Sequence, residues 1–369
     1  MLWAKLGIGF FVIIIIVSLK YRLGLKMYKA AFFFLTISLA ILAYKAEPKW
    51  DLFVHFTYMN RMEQSNMNFA QILHYGVSNN SNYRLYILFN LICYITTKIS
   101  NYHLVPFILV LMDYSIIGYI SVDWYSNHNS NNKNWLPAVV LSTMFMPYMH
   151  AFSGMRNANA ACLAGLAVYL YLEKHCQFIY AVFLVALAFF MHPVAIVVLP
   201  FMWLANRKLD LKVLGTIFIG LLFISQIANA FAKSDKSYLQ MLGRLYLMYS
   251  SENQFRSMRR YLFADIIFCI LFLIIIFFER SDKTINPIKN FVILLIVFVF
   301  GNIGNYDLVI RPMYFFSPLS LPITDMILNT NLKFTKLQSR YLSFGTRILL
   351  LGIGIFVFME SLEIIQQFF

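Results

Sequence analysis

Residues 153–175 read SGMRNANAACLAGLAVYLYLEKH, and this stretch decides the fold. A cation, Arg156, opens an apolar segment of transmembrane length. Two segments on, His192 stands at the mouth of another in AFFMHP (188–193), and Arg311 repeats the pattern in IRPMYFF (310–316). A charged group at the mouth of a membrane helix is costly without an anionic partner. Three such mouths on one side of a membrane point to a site for an anionic, lipid-borne ligand.

The rest of the chain agrees in class. Its 369 residues are 60% hydrophobic and only 12% charged, with a mean hydropathy of +0.69. Runs such as FFVIIIIVSL, FCILFLIIIFF and FVILLIVFVF approach the hydrocarbon span once their flanks are included. The expectation is an all-α, polytopic membrane bundle forming one transmembrane domain over residues 1–369, with about 11–13 spanning or re-entrant segments. Barrel strands would alternate in polarity, and these runs do not. The first apolar run lacks a small-residue cleavage site before the Lys20–Lys29 cluster, so it reads as a retained helix. Cys93, Cys162, Cys176 and Cys269 lack metal-ligand spacing and read as buried free thiols.

Candidate spans fall at roughly 3–19, 28–46, 103–122, 135–152, 156–173, 178–191, 193–205, 212–231, 261–279, 288–303, 310–328 and 345–366. Residues 84–99 are apolar but short, and suit a re-entrant or interfacial helix. If 84–99 does not cross, the positive-inside rule places the lysine-bearing connections in the cytoplasm, 123–134 and 206–212 among them; a crossing there weakens the count that follows. Those connections hold 11 of 17 lysines but only 5 of 13 arginines. Guanidinium binds phosphate oxygens with a two-pronged fork, so arginines gathered on the external side favour use on a ligand. External loops are expected at about 47–102 and 232–260. In the second, Tyr249, Asn253, Arg256 and Arg260 step by four, three and four residues and share one helical face.

Each motif has a plainer reading. Arg156 at a helix end can snorkel to headgroup phosphates. Against this, Ala158, Ala160, Ala161, Ala164 and Gly165 follow it, and small residues let helices pack closely around the cation. His192-Pro193 can be a loop histidine before a kink, or the tip of a dipping hairpin that binds phosphate or shuttles a proton. The Arg256, Arg259 and Arg260 cluster suits a headgroup-binding face as well as an acidic glycan. Arg311 with Tyr314 suggests a phosphate clamp beside an aromatic sugar platform, or an interfacial aromatic belt. Asp51 is the preferred external carboxylate for a base. No P-loop, HExxH, GxSxG or DxD occurs, so no metal, nucleotide or other cofactor is expected.

SGMRNANAACLAGLAVYLYLEKH followed by FLVALAFFMHPVAIVVLPF resembles the EpsG-type branch of the Wzy polysaccharide polymerases. That family shows a G-x-R-Q-x-x-A helix, a basic turn, and an L-A-x-x-F-H tip. IRPMYFF resembles its C-terminal R-x-x-x-Y-F element, and WDLFVHFTYM its external D-x-x-x-Y segment. The match is best over about 135–205. Three departures stand out: Asn157 replaces a glutamine, His55 replaces a tyrosine, and Asn80–Tyr83 lies where the family often has an E-x-G-Y element.

The resemblance implies a GT-C-like membrane glycosyltransferase in the plasma (inner) membrane of a bacterium. It would join polyprenyl-diphosphate-linked (undecaprenyl) oligosaccharide repeats into an exopolysaccharide, capsule or O-antigen. Partners would be that lipid-linked oligosaccharide and membrane lipid, with a flippase and a chain-length regulator beside it; nucleic acid is not expected. Residues and resemblance together assign Asp51 and His192 to catalysis. They assign Arg156, Arg311, Arg256 and Arg260 to the diphosphate, and Tyr58, Asn159, Arg244, Tyr249 and Tyr314 to the glycan or entrance. A transporter or flippase of the same lipid, a glycan ligase and a membrane O-acyltransferase are the competing readings. A transporter would more often show repeated halves, and none is visible.

Overall fold

The computed structural model describes residues 25–75, 85–128, 151–236, 240, 243, 259–278, 286–302 and 314–329. Over these the protein is an all-α membrane bundle. Its helices are α1 (Leu25–Lys45), α2 (Trp50–Gln64), α3 (Phe69–Tyr75), α4 (Ile87–Lys98), α5 (Leu104–His128), α6 (Met155–Leu172) and α7 (Phe178–Met191). There follow α8 (Val198–Ala205), α9 (Leu211–Leu222), α10 (Ile224–Ala232), α11 (Arg259–Phe278), α12 (Pro287–Gly301) and α13 (Ser320–Asn329). By length and composition α1 and α5 can cross a membrane on their own; α4, α7, the Pro193–Ala205 piece and α12 are apolar but shorter.

Two hydrogen bonds fix how α5 and α6 lie together. Asn159 Nδ2 donates to Asp113 Oδ1 at 2.8 Å, joining residues 46 apart. The Tyr169 hydroxyl donates to Asp123 Oδ2 at 2.5 Å, again across 46 residues. One offset at two levels, nearly three turns apart, means that α5 and α6 run parallel in constant register. By that register Arg156 is level with Val110, about 9 Å below the first residue of α5. The head of α6 is therefore recessed, not flush with the bundle surface.

The small residues of α6 explain why it sits centrally. Ala158, Ala160, Ala161, Ala164 and Ala167 are all buried, and α5, α7, α8 and α12 pack around them. A Cβ at Gly165 would run into the ring of Pro318, so only glycine fits there. At the opposite end Lys174 pairs with Asp123 at 2.6 Å, and Trp124 Nε1 donates to Asp325 Oδ2 of α13 at 3.0 Å. Asn290 of α12 donates to the carbonyls of Ala205 and Arg207, at 2.9 and 3.0 Å.

Residues 178–205 divide at His192, as the sequence implied, and the backbone there is extended (φ −157°). Pro193 has no N–H for a continuing ladder and starts a 3-10 turn over Pro193–Val197. Two other expected spans take a different form. Residues 212–231 bend by 49° near Phe223; the apolar run there gives way to Gln226 and Asn229. Within 310–328 the described part is a 3-10 turn at Tyr314–Phe316 and then α13, with Pro318 between them. The cysteines are free as expected: Cys93, Cys162 and Cys269 are buried and Cys176 is half-buried.

Candidate functional site

The site is built on the recessed head of α6. Gly154 starts the helix, and Arg156 follows in its first turn, half-buried. Its guanidinium carbon lies 4.4 Å from the centre of the Tyr86 ring and 5.6 Å from that of Phe89. Contact with a π face stabilises a cation by about 0.5–2 kcal/mol, more when water is excluded. Phosphate oxygens bind guanidinium at its N–H edge, a mode distinct from contact with a ring face.

Tyr86 and Phe89 come from the segment that is ambiguous in the sequence. α4 has 12 residues, about 18 Å of helix against a hydrocarbon core of about 30 Å. Phe89, Asn90, Cys93, Thr96 and Thr97 face the protein. Ile87, Leu91, Ile95 and Ile99 are exposed at four-residue steps, as a lipid-facing stripe would be. The helix climbs from the level of Arg156 toward the head of α5. There the Tyr102 hydroxyl and Ser100 both donate to Glu63 of α2, the latter at 2.8 Å. Those two bonds hold the Glu63 carboxyl below its ordinary range, Tyr102 contributing most.

Two histidines flank the aromatic pair. The His192 ring stacks on Tyr86 with centroids 5.5 Å apart and planes 20° from parallel. The His55 ring meets Phe89 edge to face at 5.1 Å. Both are buried, at 3% and 2% exposure. Val194 N–H donates to His192 Nδ1 at 3.3 Å. Nδ1 is therefore an acceptor, and the proton of the neutral ring lies on Nε2. His192 in this tautomer is a hydrogen-bond donor at Nε2. His55 lies on α2, outside the spanning helices. Burial first, and then the charge of Arg156, hold its imidazole well below the ordinary range, opposed by a bond to the Ser153 backbone. Its ring is neutral near pH 7.

The expected site residues divide as follows. Arg156 and His192 both meet the Tyr86 ring. Tyr58 lies in the buried layer beneath, its hydroxyl donating to Asn90 at 3.1 Å. Asp51 is exposed on the first turn of α2, one turn before buried His55. Asn159, expected at the entrance, is fully buried between α5 and α6 because its amide satisfies Asp113. Tyr314 is half-buried at the start of its 3-10 turn. Arg244, Tyr249, Arg256 and Arg311 lie outside the described residues, as does the side chain of Arg260. Sequence reading missed Tyr86 and Phe89, and it noted His55 only as a departure. An aromatic pair at the start of an apolar segment of doubtful span was the one available signal.

A family model, that of the EpsG family, matches residues 10–369. The chain belongs to the EpsG family. No curated protein and no solved structure matches it. EpsG membership points to an exopolysaccharide-related, glycosyltransferase-like membrane enzyme. Among the described residues of this EpsG-family chain no group of His, Cys, Asp and Glu is placed to hold a metal ion.

Proposed function

We propose that this EpsG-family protein is a polysaccharide polymerase acting on polyprenyl-diphosphate-linked oligosaccharide repeats at the outer face of a bacterial plasma membrane. The observation that carries the reading is Arg156, recessed at the head of an apolar helix and seated on Tyr86 between two buried histidines. The reaction forms a bond between an acceptor hydroxyl oxygen and the anomeric carbon of the growing chain. The bond from that carbon to the diphosphate oxygen breaks, and its electron pair leaves with the diphosphate. The hydroxyl proton passes to a base.

Each site group has a part in this scheme. Arg156 presents its N–H edge to the departing phosphate and stabilises the charge that develops there. His192, as a neutral donor at Nε2, adds a second hydrogen bond to the same anion. The base role falls to Asp51, exposed on α2 one turn before His55, which accepts a proton in its ionised form. Arg256, Arg260 and Arg311 serve the same diphosphate, with Arg244, Tyr249 and Tyr314 along the glycan path. The recessed position keeps the leaving group in a water-poor setting, where such donors act most strongly.

Purified protein in vesicles, supplied with lipid-linked repeat units, tests this. The expected result is a ladder of multiples of the repeat with matching release of polyprenyl diphosphate. Movement of single repeats across the bilayer without elongation would instead identify a flippase. Transfer of finished glycan to a different acceptor would identify a ligase.

A further inference from the structure

Asp113 lies on α5 about 14 Å along the helix from Leu104, near the middle of a bilayer-sized span. Its side chain is 0% exposed. Asn159 Nδ2 donates to one carboxyl oxygen at 2.8 Å. Two acceptors in this contacting pair then have no hydrogen-bond partner: Asp113 Oδ2 and Asn159 Oδ1. Cys162, one turn further along α6, lies against the same carboxyl, but a thiol is only a weak donor. Tyr114 is the other titratable neighbour. Among the described residues no lysine or arginine forms an ion pair with Asp113.

An ionised carboxylate at this depth without a cation is strongly disfavoured. A single hydrogen resolves the arrangement. Placed on Asp113 Oδ2, it donates to Asn159 Oδ1 while Oδ1 continues to accept from Nδ2. Both orphaned acceptors are then satisfied at once, and acid and amide are joined by two antiparallel bonds. Buried polar groups are normally paired in this way, and leaving one unpaired is destabilising.

We propose that Asp113 carries a proton in the folded protein and clasps Asn159 through two hydrogen bonds, fixing the height and rotation of α6 and so the position of Arg156. Arg156 precedes Asn159 by three residues, within one turn on the same helix. Asp113 is thus a positioning residue for the arginine, acting through α6, and no proton leaves it during turnover. The functional half of this proposal rests on the polymerase reading; the protonation half does not.

Infrared spectroscopy of the purified full-length protein at neutral pH tests the proton directly. The expected spectrum contains a carbonyl band of an un-ionised buried carboxyl that is lost in Asp113→Asn. A wild-type spectrum unchanged by that substitution overturns the proposal. In the polymer assay, Asp113→Asn is expected to retain activity within about twofold, because two facing amides form the same pair of bonds. Asp113→Leu is expected to lose at least about tenfold, since it leaves the Asn159 amide unpaired. The exchanged pair Asp113→Asn with Asn159→Asp is expected to recover what Asn159→Leu loses. Abolished polymer in Asp113→Asn at normal protein level would mean that the acid itself, not the clasp, is required. Should wild-type protein make no polymer, the polymerase reading fails while the infrared result still decides the clasp.

Discussion

The guanidinium of Arg156 stands 4.4 Å from the centre of the Tyr86 ring, and His192 stacks on that same ring with centroids 5.5 Å apart. An aromatic contact of this kind restricts the side chain before any ligand arrives, which under the proposed function reduces the ordering cost of binding.

Arg156→Lys is the sharpest test of the guanidinium. Lysine keeps the charge but has neither the planar fork nor a flat face for Tyr86. The expected outcome is a hundred- to thousand-fold loss of polymer, matching the roughly 3–4 kcal/mol carried by a strong donor to a developing anion. Polymer length on a gel and lipid-linked single repeats are measured together, at equal protein level. Wild-type polymer from the lysine variant would return Arg156 to a headgroup-snorkelling role.

Tyr86 separates the ring from its hydroxyl. Tyr86→Phe retains the face beneath Arg156 and beside His192, and polymer yield is expected to stay within about threefold of wild type. Tyr86→Leu removes the face and the stacking partner together. An interaction of about 0.5–2 kcal/mol corresponds to a loss of roughly two- to thirtyfold. Equal activity of the two variants would show that the aromatic seat does not matter.

His55 gives the fold a pH dependence of known sign. Its folded-state pKa is depressed, by burial and by Arg156, so the neutral ring is the form the fold favours. Stability is therefore complete above the ordinary histidine value of about 6.5 and declines as pH falls below it toward the folded value. Each pH unit in that window removes up to about 1.4 kcal/mol. His55→Phe keeps a ring against Phe89 and cannot titrate. On going from about pH 7.5 to 5.5 its unfolding temperature is expected to fall less than that of wild type; an equal fall would remove His55 as the cause.

The sequence made the bundle legible because apolar length and charge position report directly on the bilayer. The helix opened by Arg156 and the break at His192-Pro193 both lie where the pattern put them. Three things were hidden. Tyr86 and Phe89 belong to a helix too short for the spanning rule, and nothing local marks an aromatic as the seat of an arginine on another helix. Asn159 reads as a companion of Arg156 on α6, yet helical phase turns it away toward α5. Asp113 sits alone in an apolar run and has meaning only through the constant offset of 46 residues that pairs it with Asn159.

That offset also supplies a test of orientation. Parallel α5 and α6 start at the Arg156 end, and both finish beside Lys174. If lysine follows the positive-inside rule, the Lys174 end is cytoplasmic and the Arg156 end external. Asn60 on α2 and Ser126 near the end of α5 are both exposed, at opposite ends of the bundle. In a background lacking Cys93, Cys162, Cys176 and Cys269, an impermeant thiol reagent is expected to label Asn60→Cys in intact cells. Ser126→Cys is expected to react only after permeabilisation. The reverse pattern would put Arg156 on the cytoplasmic side, where a lipid-linked repeat is assembled rather than polymerised, and would end the polymerase reading even if the geometry around Arg156 stands.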